Sequence, residues 1–319
     1  MTNRVIRILK DLMNISYRSV VQDEINLKQS FEIENLIKKM RDLELYVNEN
    51  INETRKSIYE CELRTPNVIC IDKKFESILK QIRELIRPQK YPISKLEFFG
   101  NEFDGGYFIF STPGKKINLI SIGIGENYSF DIEIAKRGGV VEMYDGTIKD
   151  IQNLPVNVTL IRKNVGNKVE NNEIKLSSVV DKFKENSQLL DDVNVIKIDI
   201  EGAEWKLFSQ FDFKSLDNFN SLVVEFHDIG EKIKSDDMQN LMIDVLTDIN
   251  NYFVPVYFSP NNWAGVIKSG HHAFPDVFEV TYINKAQYVD QQIPAHEAAH
   301  NKSKPSNNPF RPGMGRFFI

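Results

Sequence analysis

At 319 residues the chain can bury a sizeable core, either as one large domain with an appendage or as two domains. Its 45 acidic side chains outnumber its 40 Lys and Arg side chains, and the net charge of −5 argues against nucleic-acid binding, which depends on clustered basic residues. Two cysteines, Cys61 and Cys70, lack the second pair that a zinc site needs and favour a reducing compartment in which both thiols stay free.

The first segment, residues 1–63, contains no proline and carries apolar residues at helical spacing. From Ile33 to Ile58 they form a seam flanked by charges, which favours a coiled coil that makes the chain a homo-oligomer. Packing of this helix on its own domain is the alternative. The segment is too highly charged for a signal peptide, and no apolar run reaches membrane-spanning length, so we expect a cytoplasmic protein.

A helical linker, residues 64–94, separates this segment from the next. Its pattern, KKFESILKQIRELIRP, predicts a helix that ends before Pro88, because proline disfavours the helical conformation in the residue that precedes it.

From residue 117 the pattern alternates between short apolar strands and helices. The predicted strands are INLISIG, VVEMYD, VTLIRKNV, NVIKIDI and SLVVEFH, and the predicted helices are SFDIEIAKRG, KLSSVVDKF, EWKLFSQF and SDDMQNLMIDVLTDIN. The strands hardly alternate between apolar and polar residues, as expected when both faces of a sheet are covered. The alternation of strands and helices implies right-handed crossovers and an α/β fold with a parallel, doubly wound sheet.

Two further apolar segments, YFVPVYFS and DVFEVTYIN, follow without a strong helix between them and predict an antiparallel pair at the edge of the sheet. Beyond them, residues 286–319 lack periodicity and are rich in Pro, Asn and Ser, which predicts an irregular tail.

A glycine turn, SIGIGENYSFD, joins the first strand of this sheet to its helix and contains Gly123 and Gly125. A dinucleotide site needs a third small residue where Tyr128 stands, and a triphosphate loop needs a G-K-[ST] sequence that is absent. Asp145 ends the next strand, where an acid can accept hydrogen bonds from a ribose diol. The pattern favours adenosine joined to something other than pyrophosphate, and a simple tight turn is the alternative.

Ionisable residues end two later strands of the sheet. KIDIEGAEW places Asp199 and Glu201 after the fourth strand, and VVEFHD places Glu225 and His227 after the fifth, in each case on one face because strand side chains alternate. We expect the four groups to converge beside the crevice of the sheet. Each one taken singly has a plainer alternative, a helix cap or a solvated loop residue.

This cluster suits removal of a proton from a hydroxyl group by one of two routes. In the first, His227 or Glu201 alone is the general base. In the second, Asp199, Glu225 and His227 bind a divalent cation, Mg²⁺ or Mn²⁺, that acidifies the hydroxyl, and Glu201 takes the proton. The sequence favours the cation route, with Asp199, Glu201 and His227 as the catalytic residues.

Three motifs, taken together and in order, resemble S-adenosylmethionine-dependent methyltransferases of the FkbM-like group: GNEFDGGYFIF, then SIGIGENYSFD with YDGT, then KIDIEGAEW. The resemblance covers residues 95–285. It implies a Rossmann-like methyltransferase sheet whose last strand is reversed. It also implies O-methylation, often of a sugar hydroxyl. The Glu-x-His pair at the fifth strand departs from the paired acids of metal-dependent sugar O-methyltransferases.

The resemblance also implies how the cofactor is held. Gly123 and Gly125 underlie the methionine part of S-adenosylmethionine, and Asp145 holds its ribose. Asn164 lies near the adenine, while Asp104 and Tyr107 of the DGGY motif close over the cofactor. Because this ligand carries a sulfonium and an ammonium group, acids near the turn suit it and a basic cradle is unnecessary.

A loop near the last strands has the composition of a carbohydrate contact, with amides for hydroxyls and an indole for a sugar face: Asn261, Asn262 and Trp263. A polar turn with a packing Trp is the alternative. The expected acceptor is a nucleotide sugar or a surface polysaccharide precursor. Two other functions stay open, methylation of a polyketide or lipid-linked hydroxyl and a non-catalytic methyltransferase-like scaffold.

Overall fold

The computed structural model describes residues 39, 68–101, 105–168, 172–185, 192–261, 264–269 and 272–288. The predicted coiled coil, almost all of the predicted tail, and Asp104, Asn262 and Trp263 lie outside the described residues, so these predictions stay open.

The described residues form short strands separated by helices, as the alternating pattern predicts. The strands are β1 (Val68–Cys70), β2 (Leu96–Gly100), β3 (Gly106–Phe110), β4 (Ile117–Ile122), β5 (Val141–Tyr144), β6 (Val158–Ile161), β7 (Asn164–Gly166), β8 (Glu173–Lys175), β9 (Val193–Ile198), β10 (Ser221–Phe226), β11 (Phe253–Pro260), β12 (Val266–Ser269), β13 (His272–Pro275) and β14 (Phe278–Asn284). The α-helices are α1 (Glu76–Leu85), α2 (Ser129–Lys136), α3 (Leu176–Lys184), α4 (Glu204–Phe208), α5 (Ile229–Lys232) and α6 (Asp236–Tyr252).

Seven strands make the central sheet, in the order β11-β14-β10-β9-β4-β5-β6. Strands β6, β5, β4, β9 and β10 run parallel, whereas β14 is antiparallel to both β10 and β11. The predicted doubly wound sheet with a reversed last strand is therefore confirmed. Within the described ranges, β1-β12-β13, β2-β3 and β7-β8 form three small additional sheets.

One predicted strand, VTLIRKNV, is divided in two. Its first half is β6 in the central sheet, whereas its end is β7, which pairs with β8 instead. The exposed residues Arg162 and Lys163 lie between the halves, where the chain leaves β6, the half-buried edge strand of the central sheet.

Both faces of the central sheet are covered, which explains why its strands hardly alternate. Every residue of β4, β9 and β10 is buried. One face packs in a large apolar cluster with α1, α3, α4 and α6, and the other packs against α2. Trp205 of α4 is fully buried and stacks on Phe226, with ring centroids 4.4 Å apart. Among the described residues, no helix is both long enough and apolar enough to cross a membrane.

The order of strands reverses at β4. The chain continues from β4 to β5 and β6 on one side, then returns to β9 on the other. Ligands of open α/β sheets bind at the carboxyl end of the strand where this reversal occurs. Gly123 follows β4 directly, and the last pair of the β4–β9 register, Ile122 with Ile198, brings the turn against the end of β9. A Cβ atom at Gly123 would overlap the backbone oxygen of Asp199.

Alanine substitutions at Gly123 and Gly125 should therefore differ in cost. Both residues have left-handed backbones, with φ of +72° and +59°, which costs a side-chain-bearing residue about 1–2 kcal/mol. No atom lies within 4 Å of a Cβ placed at Gly125, so Gly125→Ala should lose only that amount. Gly123→Ala must also displace the Asp199 carbonyl and should lose clearly more. Urea unfolding without cofactor measures both, and equal losses would contradict the close approach.

Candidate functional site

The glycine turn is held by the carboxylate of Asp145. One oxygen accepts hydrogen bonds from the backbone N–H groups of Ile124 (3.0 Å) and Gly125 (3.1 Å), and the other accepts from the N–H (2.8 Å) and hydroxyl (2.6 Å) of Thr147. Burial alone raises the pKa of Asp145, but these four bonds favour the charged form and hold the pKa below its ordinary value. Asp145 therefore organises the turn itself.

One other predicted cofactor residue, Asn164, and the unpredicted Gly105 border the same turn. The side-chain oxygen of Asn164 accepts a hydrogen bond from the N–H of Gly146, the neighbour of Asp145. In the DGGY motif, Gly105 has a φ of +69°, and a Cβ there would lie 2.7 Å from the amide nitrogen of Asn127, just before α2. Gly105 thus packs beside the turn.

Tyr107 lies at the predicted group of Asp199, Glu201, Glu225 and His227, here called the acid cluster. It is buried, and its hydroxyl is 2.9 Å from Asp199 Oδ2 and 3.4 Å from Glu225 Oε2, within hydrogen-bond distance of both. Burial, followed by the neighbouring acids, raises the pKa of Tyr107 well above its ordinary value, so the hydroxyl keeps its proton and can donate it to Asp199. The sequence indicated a position over the cofactor and gave no sign of these contacts.

Lys197 is a buried residue of the site that the sequence analysis missed. Its ammonium donates a hydrogen bond to the backbone oxygen of Gly123 and lies 3.2 Å from Asp199 Oδ2. Burial lowers the pKa of Lys197, but the charges of Asp199 and Asp131 outweigh it, and the pKa is raised. Lys197 therefore carries a charge that compensates Asp199 and connects the glycine turn to the acid cluster. The sequence did contain a signal for this residue, a lysine within an otherwise apolar strand.

Two of the predicted acid-cluster residues, Asp199 and Glu201, lie beside the imidazole of a third, His227. Its Nε2 lies 3.7 Å from Asp199 Oδ1 and 3.6 Å from Glu201 Oε2. One ligand atom from each residue falls within 4.8 Å of the others, a spacing that could hold a cation. His227 is buried, whereas the side chain of Glu201 is 89% exposed.

The fourth residue, Glu225, belongs to a separate set of contacts. Its Oε1 accepts a hydrogen bond from the Asn261 amide (2.8 Å), and its Oε2 faces Tyr107. Glu279 lies opposite it in the β10–β14 register. Burial first, then the charges of Asp199 and Glu279, raise the pKa of Glu225 to about 8. The structure thus groups Glu201, and not the predicted Glu225, with Asp199 and His227.

Glu204 completes the surroundings of His227 and was also missed, although the motif KIDIEGAEW contains it. Its side chain is fully buried, and Oε1 lies 3.0 Å from His227 Nδ1. Burial lowers the pKa of His227, but the hydrogen bond and charge of Glu204, with smaller effects of Glu225 and Asp199, raise it to about 9. In the free protein the imidazole is therefore protonated at neutral pH.

Comparison with known proteins identifies the domain. Residues 110–253 match the methyltransferase FkbM domain. Over these residues the chain is similar to FkbM methyltransferases. The matched segment contains the glycine turn, Asp145 and the cluster around His227, so the chain is a methyltransferase, and its family implies use of S-adenosylmethionine.

Two solved structures show a distant likeness to the chain. One is a fibrillarin/Nop5p complex, with 11% identity and a TM-score of 0.35, in a match that covers 61% of this chain and 97% of that one. The other is the Methanococcus jannaschii fibrillarin pre-rRNA processing protein, with 10% identity, a TM-score of 0.31, and coverage of 61% and 85%. No curated protein matches the sequence significantly.

The raised pKa of Glu225 should make the free energy of unfolding depend on pH. Between the ordinary value of 4.5 and about 8, the folded protein keeps a proton that the unfolded chain releases, so Glu225 costs increasing stability as the pH rises through this window. Glu225→Gln removes this dependence. The stability of the variant relative to wild type should rise from pH 4.5 to 8 and then level off, as measured by urea unfolding. A difference that is constant with pH would contradict the raised pKa.

Proposed function

We propose that this methyltransferase moves the methyl group of S-adenosylmethionine to a hydroxyl of a sugar, in a nucleotide sugar or a surface polysaccharide precursor. The observation that carries the proposal is the position of the His227 Nε2 atom. It faces Asp199 and Glu201, next to the turn that ends β4. A proton acceptor and a cofactor turn are thus adjacent, as methyl transfer to a hydroxyl requires.

The residues around the glycine turn fit the cofactor. The turn lies where the order of strands reverses, and the open space beside Gly125 leaves its backbone accessible to a ligand. Gly123 and Gly125 would underlie the methionine part, and Asn164 would lie near the adenine. Asp145, whose two oxygens already accept two hydrogen bonds each, would have to release one of them to hold the ribose. When bound, S-adenosylmethionine supplies an electrophilic methyl group.

The chain's own task is then to orient the acceptor hydroxyl and to remove its proton. The sequence favoured Glu201 for proton removal, but the geometry favours His227, which is buried and held by Glu204, whereas Glu201 is 89% exposed. As the hydroxyl oxygen would bond to the methyl carbon and the carbon–sulfur bond would break, the hydroxyl proton would pass to Nε2 in those molecules whose His227 is unprotonated, a fraction that grows as the pH rises toward about 9. Asp199, compensated by Lys197, would orient the hydroxyl.

The donor set also suits a divalent cation. Asp199, Glu201 and His227 would supply two carboxylates and an imidazole, a mixture that Mn²⁺ accepts more readily than Mg²⁺. The Oδ1 atom of Asp199 is the available ligand, since Oδ2 contacts Lys197 and Tyr107. A cation there would lower the pKa of the acceptor hydroxyl, and Glu201 would then be the proton acceptor.

The sugar assignment rests on two supports. The FkbM-like resemblance implies O-methylation, often of a sugar. In addition, Asn261, part of the predicted carbohydrate loop, donates a hydrogen bond to Glu225 at the edge of the acid cluster. Mass spectrometry of reactions between S-adenosylmethionine and a panel of nucleotide sugars tests the assignment. Methylation of none of them would overturn the nucleotide-sugar acceptor, and absent calorimetric heat with S-adenosylmethionine would indicate a non-catalytic scaffold.

Two variants should separate the proton acceptors. His227→Gln removes the buried base and should lower kcat by about 10²–10⁴-fold, the usual loss for a general base, while cofactor affinity stays within a few-fold. Glu201→Gln alters an exposed carboxylate and should lower kcat by less. Initial rates with the methylated nucleotide sugar, together with calorimetry of S-adenosylmethionine binding, measure both. The opposite ranking would make Glu201 the base.

Removal of divalent cations tests the second route. If a cation lowers the pKa of the hydroxyl, dialysis against excess EDTA should abolish methyl transfer, and added Mn²⁺ should restore it. The Glu201→Gln and His227→Gln variants should then also bind Mn²⁺ more weakly, by isothermal titration. Undiminished turnover in EDTA, with no metal found by elemental analysis, would remove the cation from the mechanism.

A further inference from the structure

We propose that Glu204 is a positioning residue that fixes the His227 imidazole, and the turn carrying Glu201, for removal of the acceptor proton. The inference rests on the proposed function and concerns how the same site is kept in order. Glu204 does not touch the crevice itself, because its side chain is fully buried. It would act through its neighbours.

The contacts of one oxygen atom carry the inference. Glu204 Oε1 lies 3.0 Å from His227 Nδ1, and it also accepts hydrogen bonds from the backbone N–H groups of Ile200 (3.0 Å) and Gly202 (3.1 Å). A neutral imidazole has a proton on only one nitrogen. If it donates its Nδ1–H to Glu204, it necessarily presents the lone pair of Nε2 to Asp199 and Glu201. A carboxylate at Nδ1 also stabilises the imidazolium that forms when Nε2 takes a proton.

The backbone between β9 and α4 needs this support. Glu201 and Gly202 are successive residues in left-handed conformations, with φ of +52° and +100°. Such a backbone is unfavourable for Glu201, which carries a side chain, and persists only where its surroundings fix it. The two N–H groups bound to Glu204 lie on either side of Glu201. Glu204 therefore fixes the direction in which the Glu201 side chain leaves the turn.

Helix α4 is itself packed in place, which keeps the Glu204 carboxylate at a fixed position. The next residue, Trp205, is fully buried against Phe226. The indole N–H of Trp205 also donates a hydrogen bond to the backbone oxygen of His227 (3.3 Å). Two consecutive residues of α4 thus hold His227 at two points, one on its ring and one on its backbone. This rigidity is what a proton acceptor of fixed orientation requires.

Nuclear magnetic resonance of the full chain tests the contact without reference to turnover. A proton shared between an imidazole Nδ1 and a buried carboxylate should give a downfield, slowly exchanging signal, assigned by its loss in His227→Gln. The signal should disappear or move upfield in Glu204→Gln. Glu142→Gln is the matched control, because Glu142 is also a largely buried hydrogen-bond acceptor but lies outside the site. The control should leave the signal unchanged, and an unchanged signal in Glu204→Gln would overturn the inference.

A double-mutant cycle tests whether Glu204 acts through His227. Glu204→Gln keeps the shape and an acceptor oxygen, so the protein should fold and bind S-adenosylmethionine normally, yet kcat should fall by about 10–100-fold. Glu204→Asp, which retains the charge, should recover part of the loss. In Glu204→Gln/His227→Gln, kcat should be no lower than in His227→Gln alone. Losses that multiply would show that Glu204 acts independently of His227 and would overturn the inference.

The two proposals fail in distinguishable ways. If wild-type protein methylates no sugar acceptor while the imidazole signal depends on Glu204 as described, the sugar assignment fails and the positioning of His227 by Glu204 stands. If sugars are methylated but the signal and kcat are the same in Glu204→Gln as in wild type, the positioning role fails and the methyltransferase function stands.

Discussion

The buried ammonium of Lys197 is the interaction on which the arrangement of the site depends. A charged group within a sheet is costly unless it is paired and hydrogen-bonded. Lys197 meets this condition by binding the Gly123 carbonyl and the Asp199 carboxylate together. One of these groups belongs to the glycine turn and the other to the acid cluster. Losing either contact would leave a buried charge incompletely compensated, so the two parts of the site keep a fixed separation.

Two carboxyl groups of the site have opposite protonation states. Asp145 accepts four hydrogen bonds, which hold its pKa below the ordinary value, so it stays charged and organises the turn. Burial, followed by the charges of Asp199 and Glu279, raises the pKa of Glu225 to about 8, so it stays neutral near pH 7. A neutral Glu225 can donate its proton to the Tyr107 hydroxyl while accepting from the Asn261 amide, without adding charge beside Asp199. Groups whose environments shift their pKa values apart are typical of catalytic sites.

Much of the framework followed from local patterns in the sequence. The apolar runs predict strands covered on both faces, and their alternation with helices predicts a parallel sheet. The end of β4 then had to carry the turn, because the only glycines there, Gly123 and Gly125, have backbone conformations that other residues adopt at a cost. The convergence of Asp199, Glu201 and His227 was also predictable, since carboxyl ends of neighbouring parallel strands share one edge of a sheet.

The partners of the buried polar groups were decided by the tertiary structure alone. Tyr107 and Asp199 are 92 residues apart in sequence, and Glu225 faces Glu279 only because β14 runs antiparallel to β10 in one particular register. The sequence determined the elements, the turn and the residues at the strand ends, because these depend on local conformational preference and side-chain periodicity. It could not determine that Lys197 compensates Asp199 or that Glu204 holds His227, because desolvation and hydrogen bonding between distant segments exist only once those segments are packed together.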